Sequence, residues 1–367
     1  MPAGEVMTVE LSGTGLAPAD VLAVARGGAP VVLAPEARGA MEQSAAIVAR
    51  LATSNTPAYG VTTGFGSLAN TWIEAARRGE LQRALVRSHA AGMGPPVERE
   101  VVRAMMLLRA RTLAMGHSGA RPEIAEAILA LLNAGLTPVV PEHGSLGASG
   151  DLAPLAHCAL VLIGEGEVAD AEGTVRPTRP ALEAAGVEPV TLTAKEGLAL
   201  TNGTDGVLGM LLMAAADLGL LLRTADVTAA MSVEALLGTD RVFAADLIAL
   251  RPQPGQAGSA ANLRALLAGS PIVASHREGD SRVQDAYSLR CAPQVSGAAR
   301  DTLTHALAVA THELASIFAI ANNSIFLDTA TRTQGATGNP TELREHSDNP
   351  AVRLFLRRGE EESSATP

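Results

Sequence analysis

Apolar residues recur at helical spacing along most of the chain after residue 100, and this pattern predicts a mainly helical protein. Residues 101–115 and 122–134 each show the repeat of an amphipathic helix. Residues 205–237 contain no proline and are apolar on most faces, which predicts a long helix buried in a bundle. A second long helix is predicted at residues 297–320.

The N-terminal part of the chain mixes several kinds of element. The pattern predicts an extended segment at residues 31–33 and a helix at residues 41–51. A glycine-rich loop follows at residues 59–66. Prolines and glycines exclude regular helix at residues 136–150. We therefore expect an ordered loop there, leading into an apolar helix at residues 152–163.

Residues 169–188 are rich in proline, glycine and charge, and they are expected to form a surface excursion. The pattern divides the chain into an N-terminal domain at 1–204, a central helical domain at 205–352 and a disordered tail at 353–367. The predicted fold class is mainly α, with a mixed N-terminal domain followed by a long-helix bundle.

Composition and charge narrow the function classes. Hydrophobic residues make up 47% of the chain and aromatic residues only 2%, so the core must consist of alanine, leucine, valine and methionine, which favours helices. The formal net charge of −10 provides no basic surface for nucleic acid or for an anionic membrane. The apolar run at 206–216 is shorter than the roughly 18 residues that a membrane span needs. No signal peptide is visible, and we expect a cytoplasmic protein.

Metal-binding patterns are absent from the sequence. Cys158 and Cys291 lie far apart and show no Cys-x-x-Cys spacing, and the histidines do not form a His-Glu-x-x-His motif. We therefore expect no metal site and no disulfide.

A glycine-rich loop, residues 144–151, is the first candidate for chemistry. A phosphate-binding loop of the Walker type requires a lysine, and none is present. A nucleophile elbow requires glycine at the position of Asp151. The residues of the loop by themselves are also compatible with a tight turn that Asp151 caps.

The stretch from Gly144 to His157 closely resembles the signature of the histidine ammonia-lyase family. Four further segments resemble motifs of that family in the same order: 59–66, 88–92, 202–204 and 284–291. The resemblance implies that Ala148, Ser149 and Gly150 cyclise, the amide nitrogen of Gly150 attacking the carbonyl carbon of Ala148 with loss of two waters. The product is a 4-methylidene-imidazol-5-one, abbreviated MIO, and no external cofactor is implied.

Tyr59 and Tyr287 are the only tyrosines in the chain, and both fall inside these motifs. In the mechanism that the resemblance implies, a base removes a weakly acidic β-proton from an amino-acid substrate. A tyrosinate suits this task because the strength of the base must approach that of the proton taken. We assign Tyr59 as the base and Tyr287 as a residue that assists it or supports the electrophile.

Four polar residues are expected to bind the substrate or the electrophile. Arg290 offers a guanidinium for a bidentate pair with the substrate carboxylate. Asn202 and Gln284 are expected to hydrogen-bond the carbonyl of the electrophile or the amine. His89 bears on specificity, because family members that act on histidine resemble Ser88-His89 at this point.

The resemblance implies a lyase that eliminates ammonia from L-histidine to give trans-urocanate. It also implies the aromatic amino-acid lyase or fumarase-like architecture and a homotetramer whose sites combine residues from several subunits. Two rivals stay open. The first is a tyrosine or phenylalanine ammonia-lyase or an aminomutase, and the second is a helical scaffold or subunit that has lost its pocket.

The match is continuous as far as Ser316. In the family an Asp-Asn-Pro segment then follows almost at once, whereas here it is displaced to residues 348–350 by residues 317–346. The family continues into a helical region that contributes a phenylalanine and a glutamate to the site, and this sequence ends before that region. The alternatives are a shortened lyase that still assembles, a fragment completed by a separate chain, and an inactive remnant.

Overall fold

The computed structural model describes residues 8–145, 150–310, 324–328 and 333–338. The chain forms two compact units, Met1–Asp217 and Leu218–Pro367, and their boundary falls inside the longest helix. The predicted division at 204/205 lies just before that helix begins, and the division into domains stays a prediction. The tail predicted at 353–367 lies outside the described residues.

Helices dominate the described part of the chain, which confirms the predicted fold class. The helices predicted at 101–115, 122–134 and 205–237 are all present, and each of their ends lies within two residues of the prediction. In chain order they are α1 (Pro18–Ala25), α2 (Pro35–Thr53), α3 (Arg78–His89), α4 (Arg99–Ala114), α5 (Pro122–Asn133), α6 (Leu152–Leu162), α7 (Thr178–Ala185), α8 (Glu196–Thr201), α9 (Asp205–Ala235), α10 (Ala245–Ala249), α11 (Pro254–Leu267), α12 (Pro271–Ser275), α13 (Tyr287–Arg290) and α14 (Ala292–Ala310).

The strands are short and form small separate sheets. The strands are β1 (Val9–Leu11), β2 (Val31–Leu33), β3 (Met93–Pro96), β4 (Thr137–Pro138), β5 (Pro141–His143), β6 (Glu167–Ala169), β7 (Val175–Pro177), β8 (Ser324–Asp328) and β9 (Thr333–Gly338). β1 and β2 are parallel, and Val9 stands opposite Val31. The other pairs, β3 with β5, β4 with β6, β6 with β7 and β8 with β9, are antiparallel.

Helix α4 is central to the first unit. Its alanine, leucine, methionine and arginine residues favour helix, most of them are buried, and it packs against α1 and α5. Arg103, only 1% exposed, donates hydrogen bonds to the backbone oxygens of Val24, Ala25 and Leu132 near the ends of α1 and α5. Its guanidinium thus satisfies carbonyls that helix ends leave without partners. Burial lowers the pKa of Arg103 to about 10.

The segment predicted as an ordered loop, residues 136–150, contains no helix among its described residues. β4 and β5 lie within it, and they pair with β6 and β3. These pairings anchor the chain that leads to Gly150. Residues 146–149 lie outside the described residues, so the placement of Ala148 and Ser149 is not described.

The segment predicted as a surface excursion, 169–188, is more regular than expected. β6 and β7 form a hairpin, and α7 follows with Ala181 and Leu182 buried. The hairpin turns where Asp170 Oδ1 accepts hydrogen bonds from the backbone nitrogens of Glu172 and Thr174. An aspartate that bonds its own backbone in this way is a turn signal that the composition of the segment concealed.

In the second unit, α11 packs along α14. Asp226 is buried in α9 and accepts hydrogen bonds from Ser259 Oγ at 2.6 Å, from Asn262 Nδ2 at 2.7 Å and from Arg300 Nη2 at 2.5 Å. The helix predicted at 297–320 begins earlier, at Ala292, and the residues after 310 in that range lie outside the described part. The hydrophobic cluster of this unit consists of Ala230, Val233, Phe243, Leu263, Leu267, Val273 and Leu289.

By length and composition, the stretch Glu196–Ala235 could cross a membrane, because an 18-residue window within it has a mean hydropathy of 1.8. The sequence-based expectation missed it because it counted only the uninterrupted apolar run, which ends at Ala216, before Asp217. Core helices of globular proteins have the same composition. Here Asp205 pairs with Arg109, and Asp217 pairs with Arg26 at 2.7 Å. A buried carboxylate paired with a buried arginine, as at Asp205, is typical of a core helix, whereas Asp217 is 64% exposed.

Candidate active site

The loop that carries Tyr59 is held in shape by its own hydrogen bonds. The carbonyl of Ala58 accepts from the backbone nitrogens of Val61, Thr62 and Thr63, at 2.9 to 3.2 Å. The buried hydroxyl of Thr62 accepts from Ala58 N and donates to the backbone, at 2.8 Å each. Tyr59 itself is 54% exposed, so the loop presents its phenol at the surface of the first unit.

Contacts of the Tyr59 ring orient the phenol. Its oxygen accepts a hydrogen bond from Gly66 N at 3.2 Å, and its ring meets the ring of Phe65 edge to face, with centroids 6.0 Å apart. A base that takes a proton from a substrate needs such a defined direction. The orientation therefore fits the role that the sequence predicts for Tyr59.

His89 is the last residue of α3, and its hydrogen bonds define its tautomer. Its Nδ1 lies 2.9 Å from the carbonyl oxygen of Leu85 and 3.0 Å from Ser88 Oγ. Because a carbonyl oxygen can only accept, Nδ1 carries the proton when the ring is neutral. Nε2 has no hydrogen-bond partner among the described residues and is left as an acceptor, which suits contact with a substrate.

Gly150, the last residue of the candidate cyclising triplet, lies directly against Gly203. Its φ is +97°, a conformation that glycine adopts readily. A Cβ added to Gly150 would lie closer than 3.0 Å to the carbonyl oxygen of Gly203, which real side chains do not tolerate. That same oxygen accepts a hydrogen bond from Asp151 N at 2.7 Å. The triplet is therefore tied at its end to the Asn202–Thr204 segment.

Asp151 joins the loop to the start of α9. Its side chain is buried, with 1% exposed. Its Oδ2 accepts hydrogen bonds from Gly206 N at 2.8 Å and from Val207 N at 3.0 Å. Its Oδ1 accepts a hydrogen bond from Ser145 Oγ at 2.7 Å. The first amide groups of a helix have no partner within the helix, and a carboxylate there also meets the positive end of the helix dipole. The sequence suggested a capping aspartate, but the helix that it caps begins 54 residues later in the chain.

A buried arginine of α4 also holds the Asn202–Thr204 segment. Arg109 Nη1, from α4, donates to the backbone oxygens of Ala199 and Asn202, at 2.9 Å each. Its Nη2 forms an ion pair with Asp205, at which α9 begins. The Asn202 side chain is exposed and has no hydrogen-bond partner among the described residues, so it is available to a ligand.

The remaining predicted site residues lie in the second unit. Tyr287 begins the short helix α13 and is 69% exposed, and the guanidinium carbon of Arg290 stands 4.4 Å from the centre of its ring. The Nε of Arg290 is buried and has no partner among the described residues. Gln284 is exposed nearby in the sequence. Thus Tyr59, His89, Gly150 and Asn202 belong to one unit, and Gln284, Tyr287 and Arg290 belong to the other.

The model of one protein family, described as aromatic amino acid lyase, matches residues 16–339. The chain belongs to the aromatic amino acid lyase family. Histidine ammonia-lyase from Streptomyces avermitilis is 59% identical to it over 309 residues, which make up 84% of this chain and 60% of that protein. The chain thus spans about 60% of the length of this relative.

Solved structures of this family resemble the chain in three dimensions. Tyrosine aminomutase from Streptomyces globisporus gives a TM-score of 0.74 at 39% identity, over 82% of this chain and 60% of that one. Histidine ammonia-lyase from Trypanosoma cruzi gives a TM-score of 0.73 at 37% identity, over 83% and 56%. The helical lyase architecture expected from the sequence motifs is therefore confirmed.

Sequence reasoning missed the buried polar residues that support the candidate site. Arg109 had a detectable signal, since it is a charged residue within an apolar helical pattern. Asp205 and Asp151 were seen only as a helix boundary and a turn cap. Gln82, buried in α3 with its amide bonded to Gly60 O and Leu198 N, lies between two motifs, and nothing in the local pattern marked it.

His157, near the end of the lyase signature, supports the Ser88–Gly92 segment and leads to a prediction about pH. Its Nε2 accepts a hydrogen bond from Gly92 N at 3.2 Å, and burial lowers its pKa. In the unfolded chain the imidazole takes up a proton near the ordinary histidine pKa of about 6.5. In the folded state it takes up the proton only at a lower pH. The free energy of unfolding should therefore fall as the pH falls from about 6.5 toward the lower pKa of the folded state.

The variant His157→Gln tests this expectation, because a glutamine oxygen can still accept from Gly92 N and does not titrate. Urea unfolding at pH values of about 7.5 and about 5.5 should show a smaller loss of stability in the variant than in the parent. An identical loss in both proteins would show that His157 contributes nothing to the pH dependence.

Proposed function

We propose that this chain eliminates ammonia from L-histidine to give trans-urocanate, with an MIO group formed from Ala148, Ser149 and Gly150. The observation that carries the proposal is the contact of Gly150 with the carbonyl oxygen of Gly203, at a position where a Cβ does not fit. Only glycine fits at this position, and the missing Cβ also leaves the amide nitrogen of Gly150 accessible for the attack that cyclisation requires. Relatives that are 58% and 59% identical bear the name histidine ammonia-lyase.

The residues around Gly150 fit the formation of this group. Asp151 and Arg109, both buried, fix the two chain segments on either side of it through hydrogen bonds. The electrophilic methylidene carbon of an MIO group makes the amine of an amino acid a better leaving group. The Asn202 side chain, exposed in the same unit, is proposed to donate a hydrogen bond to the group or to the amine.

Tyr59 is proposed to take the β-proton, and His89 to recognise the substrate ring. The phenol of Tyr59 is directed by Gly66 N and Phe65. The Nε2 of His89, an acceptor in the neutral tautomer, suits an N–H donor such as the imidazole of histidine. A phenyl ring offers no such donor, and this difference favours histidine over phenylalanine as the substrate.

In the second unit, Arg290 is proposed to bind the substrate carboxylate, with Gln284 and Tyr287 beside it in the sequence. The guanidinium lies against the Tyr287 ring, which restricts its orientation. A restricted, planar guanidinium favours a bidentate pair with a carboxylate. Tyr287 is proposed to assist the base or to support the electrophile.

We also propose that the chain functions as a homo-oligomer, with a tetramer as the form that the family resemblance implies. In the second unit, α9 exposes Leu220, Leu221 and Met231 to about 60% each. Exposed apolar residues on one long helix favour association with another protein surface.

The proposal is tested by intact mass and by product formation together. Cyclisation removes two waters, so the purified protein should weigh about 36 Da less than its sequence predicts. With L-histidine it should produce a new conjugated absorber in the ultraviolet. The variant Ser149→Ala lacks the hydroxyl that must be lost, so it should keep its full mass apart from the substitution and form no product.

A protein with an unmodified mass and no product would contradict the proposal and favour a scaffold. A cyclised protein that acts on tyrosine or phenylalanine but not on histidine would contradict the substrate assignment alone. A panel of these three amino acids, analysed also for β-amino acid products, separates a histidine lyase from the tyrosine and phenylalanine lyases and from the aminomutases.

A further inference from the structure

A single buried amide joins two of the segments that carry candidate catalytic residues. Gln82 lies in α3 and is 1% exposed. Its Nε2 donates a hydrogen bond to the carbonyl oxygen of Gly60 at 3.4 Å, and Gly60 directly follows Tyr59. Its Oε1 accepts a hydrogen bond from Leu198 N in α8 at 3.2 Å, and Asn202 directly follows that helix. Both ends of the amide are therefore engaged, each with a different part of the site.

These segments also meet in direct contact. A Cβ added to Gly60, whose φ is +70°, would come within 3.0 Å of the side chains of Phe65 and Leu198. A Cβ added to Gly197 would lie 2.7 Å from the backbone oxygen of Gln82. Glycine at both positions allows the loop, α3 and α8 to approach closely. A movement of one segment must therefore displace the others.

Each segment is also held by contacts of its own, and Gln82 is the side chain that bonds to both of them. The α8 helix is held at its beginning by Glu196, which is buried and pairs with Arg121 at 2.8 Å, and near its end by Arg109. The Tyr59 loop is held by its own bonds to Ala58. The same α3 helix that supplies Gln82 ends at His89, two helical turns later.

We propose that Gln82 is a positioning residue that fixes the positions of Tyr59 and Asn202 relative to each other and to His89. This inference rests on the proposed function. An amide can donate and accept at the same time, so one side chain serves a carbonyl on one segment and an N–H on the other. Catalysis by a positioned base is sensitive to small displacements, and about 1 Å can cost on the order of 100-fold in rate.

The variant Gln82→Met removes both hydrogen bonds and keeps the length and volume of the side chain. The turnover number with L-histidine should fall by about 10-fold to 100-fold, with a much smaller change in KM, because substrate binding persists while the base is misplaced. The intact mass should still show the loss of two waters, because Asp151 N still holds the Gly203 oxygen beside Gly150.

Asn133→Leu is the matched control. The amide of Asn133 also bonds two backbone groups, Val31 N and Val31 O, at 2.9 Å each, and it touches none of the candidate site segments. The control should lose stability as Gln82→Met does and keep its turnover number within about twofold, as expected for a change that removes no contact to the site. A proportional loss of turnover in both variants would overturn the proposal.

Hydrogen exchange followed by mass spectrometry tests the proposal without activity. In Gln82→Met, the backbone amides of residues 58–66 and 196–203 should exchange faster than in the parent protein. In Gln82→Glu, which keeps the acceptor but loses the donor when ionised, only 58–66 should accelerate. The second variant serves also if the first fails to fold. Unchanged exchange in both segments would overturn the proposal.

The same measurements separate this proposal from the proposed function. If the parent protein forms no urocanate, the proposed function fails, and the exchange pattern alone then decides on Gln82. If the parent is active and Gln82→Met turns over within about threefold of it, the positioning role is overturned while the proposed function stands.

Discussion

Replacing Gly203 with alanine should prevent the electrophile from forming and should destabilise the first unit by at least about 3 kcal/mol. The added Cβ would lie within 3.0 Å of both Arg109 Nη2 and Asp205 Oδ2, which form a buried ion pair. It would therefore force apart two charges that have little access to water. The Gly203 oxygen would move with it, and that oxygen contacts Gly150 and accepts from Asp151 N.

Chemical unfolding and intact mass measure the two effects separately. Gly39→Ala is the control, because a Cβ at Gly39 in α2 meets nothing within 4 Å and alanine favours helix. The control should be neutral or slightly stabilising and should show the mass of the cyclised parent. A Gly203→Ala protein that unfolds like the parent and has lost two waters would show that the segment adapts to a side chain.

Replacing Tyr59 with phenylalanine should lower the turnover number by about 100-fold to 10,000-fold, the range of a general base. The phenyl ring keeps the edge-to-face contact with Phe65, and only the hydroxyl and its bond from Gly66 N are lost. Because Tyr59 is already half exposed, the free energy of unfolding should change little. Steady-state kinetics with L-histidine provides the measurement.

Two observations must accompany that result. The intact mass of Tyr59→Phe should still show the loss of two waters, which separates a lost base from a lost electrophile. Its KM should stay near that of the parent if the phenol acts chiefly in the transition state. A turnover number within about tenfold of the parent would mean that another group takes the proton.

Helix α5 shows why much of the fold was predictable. Pro122 suits the first turn of a helix because it has no N–H to leave unpaired there, and Gly135 follows the end of the helix with φ +72°. Both signals depend only on neighbouring residues, so they can be recognised without knowledge of the tertiary structure. The hairpin of β6 and β7 was missed because its strands have only three residues each, too few for a periodic pattern.

The motifs supplied the candidate site residues, whose roles stay predictions. Tyr59, His89, Asn202 and Tyr287 were named from short segments whose order along the chain is characteristic of the family. Gln82 was not, because a glutamine in a helix usually faces solvent, and only the contact of α3 with the Tyr59 loop and α8 makes it a buried bridge.

The sequence by itself determined the family, through the order of its motifs, and the helical fold class, through its apolar periodicity and composition. The roles of the candidate site residues stay predictions. The tertiary structure alone decided how these residues are held. Gly150 lies against Gly203, Arg109 donates a hydrogen bond to the Asn202 backbone, and Gln82 donates one to the Tyr59 loop. The reason is physical. Secondary structure and motifs depend on neighbours in the chain, whereas these contacts join residues about 20 to more than 90 positions apart, and packing alone brings them together.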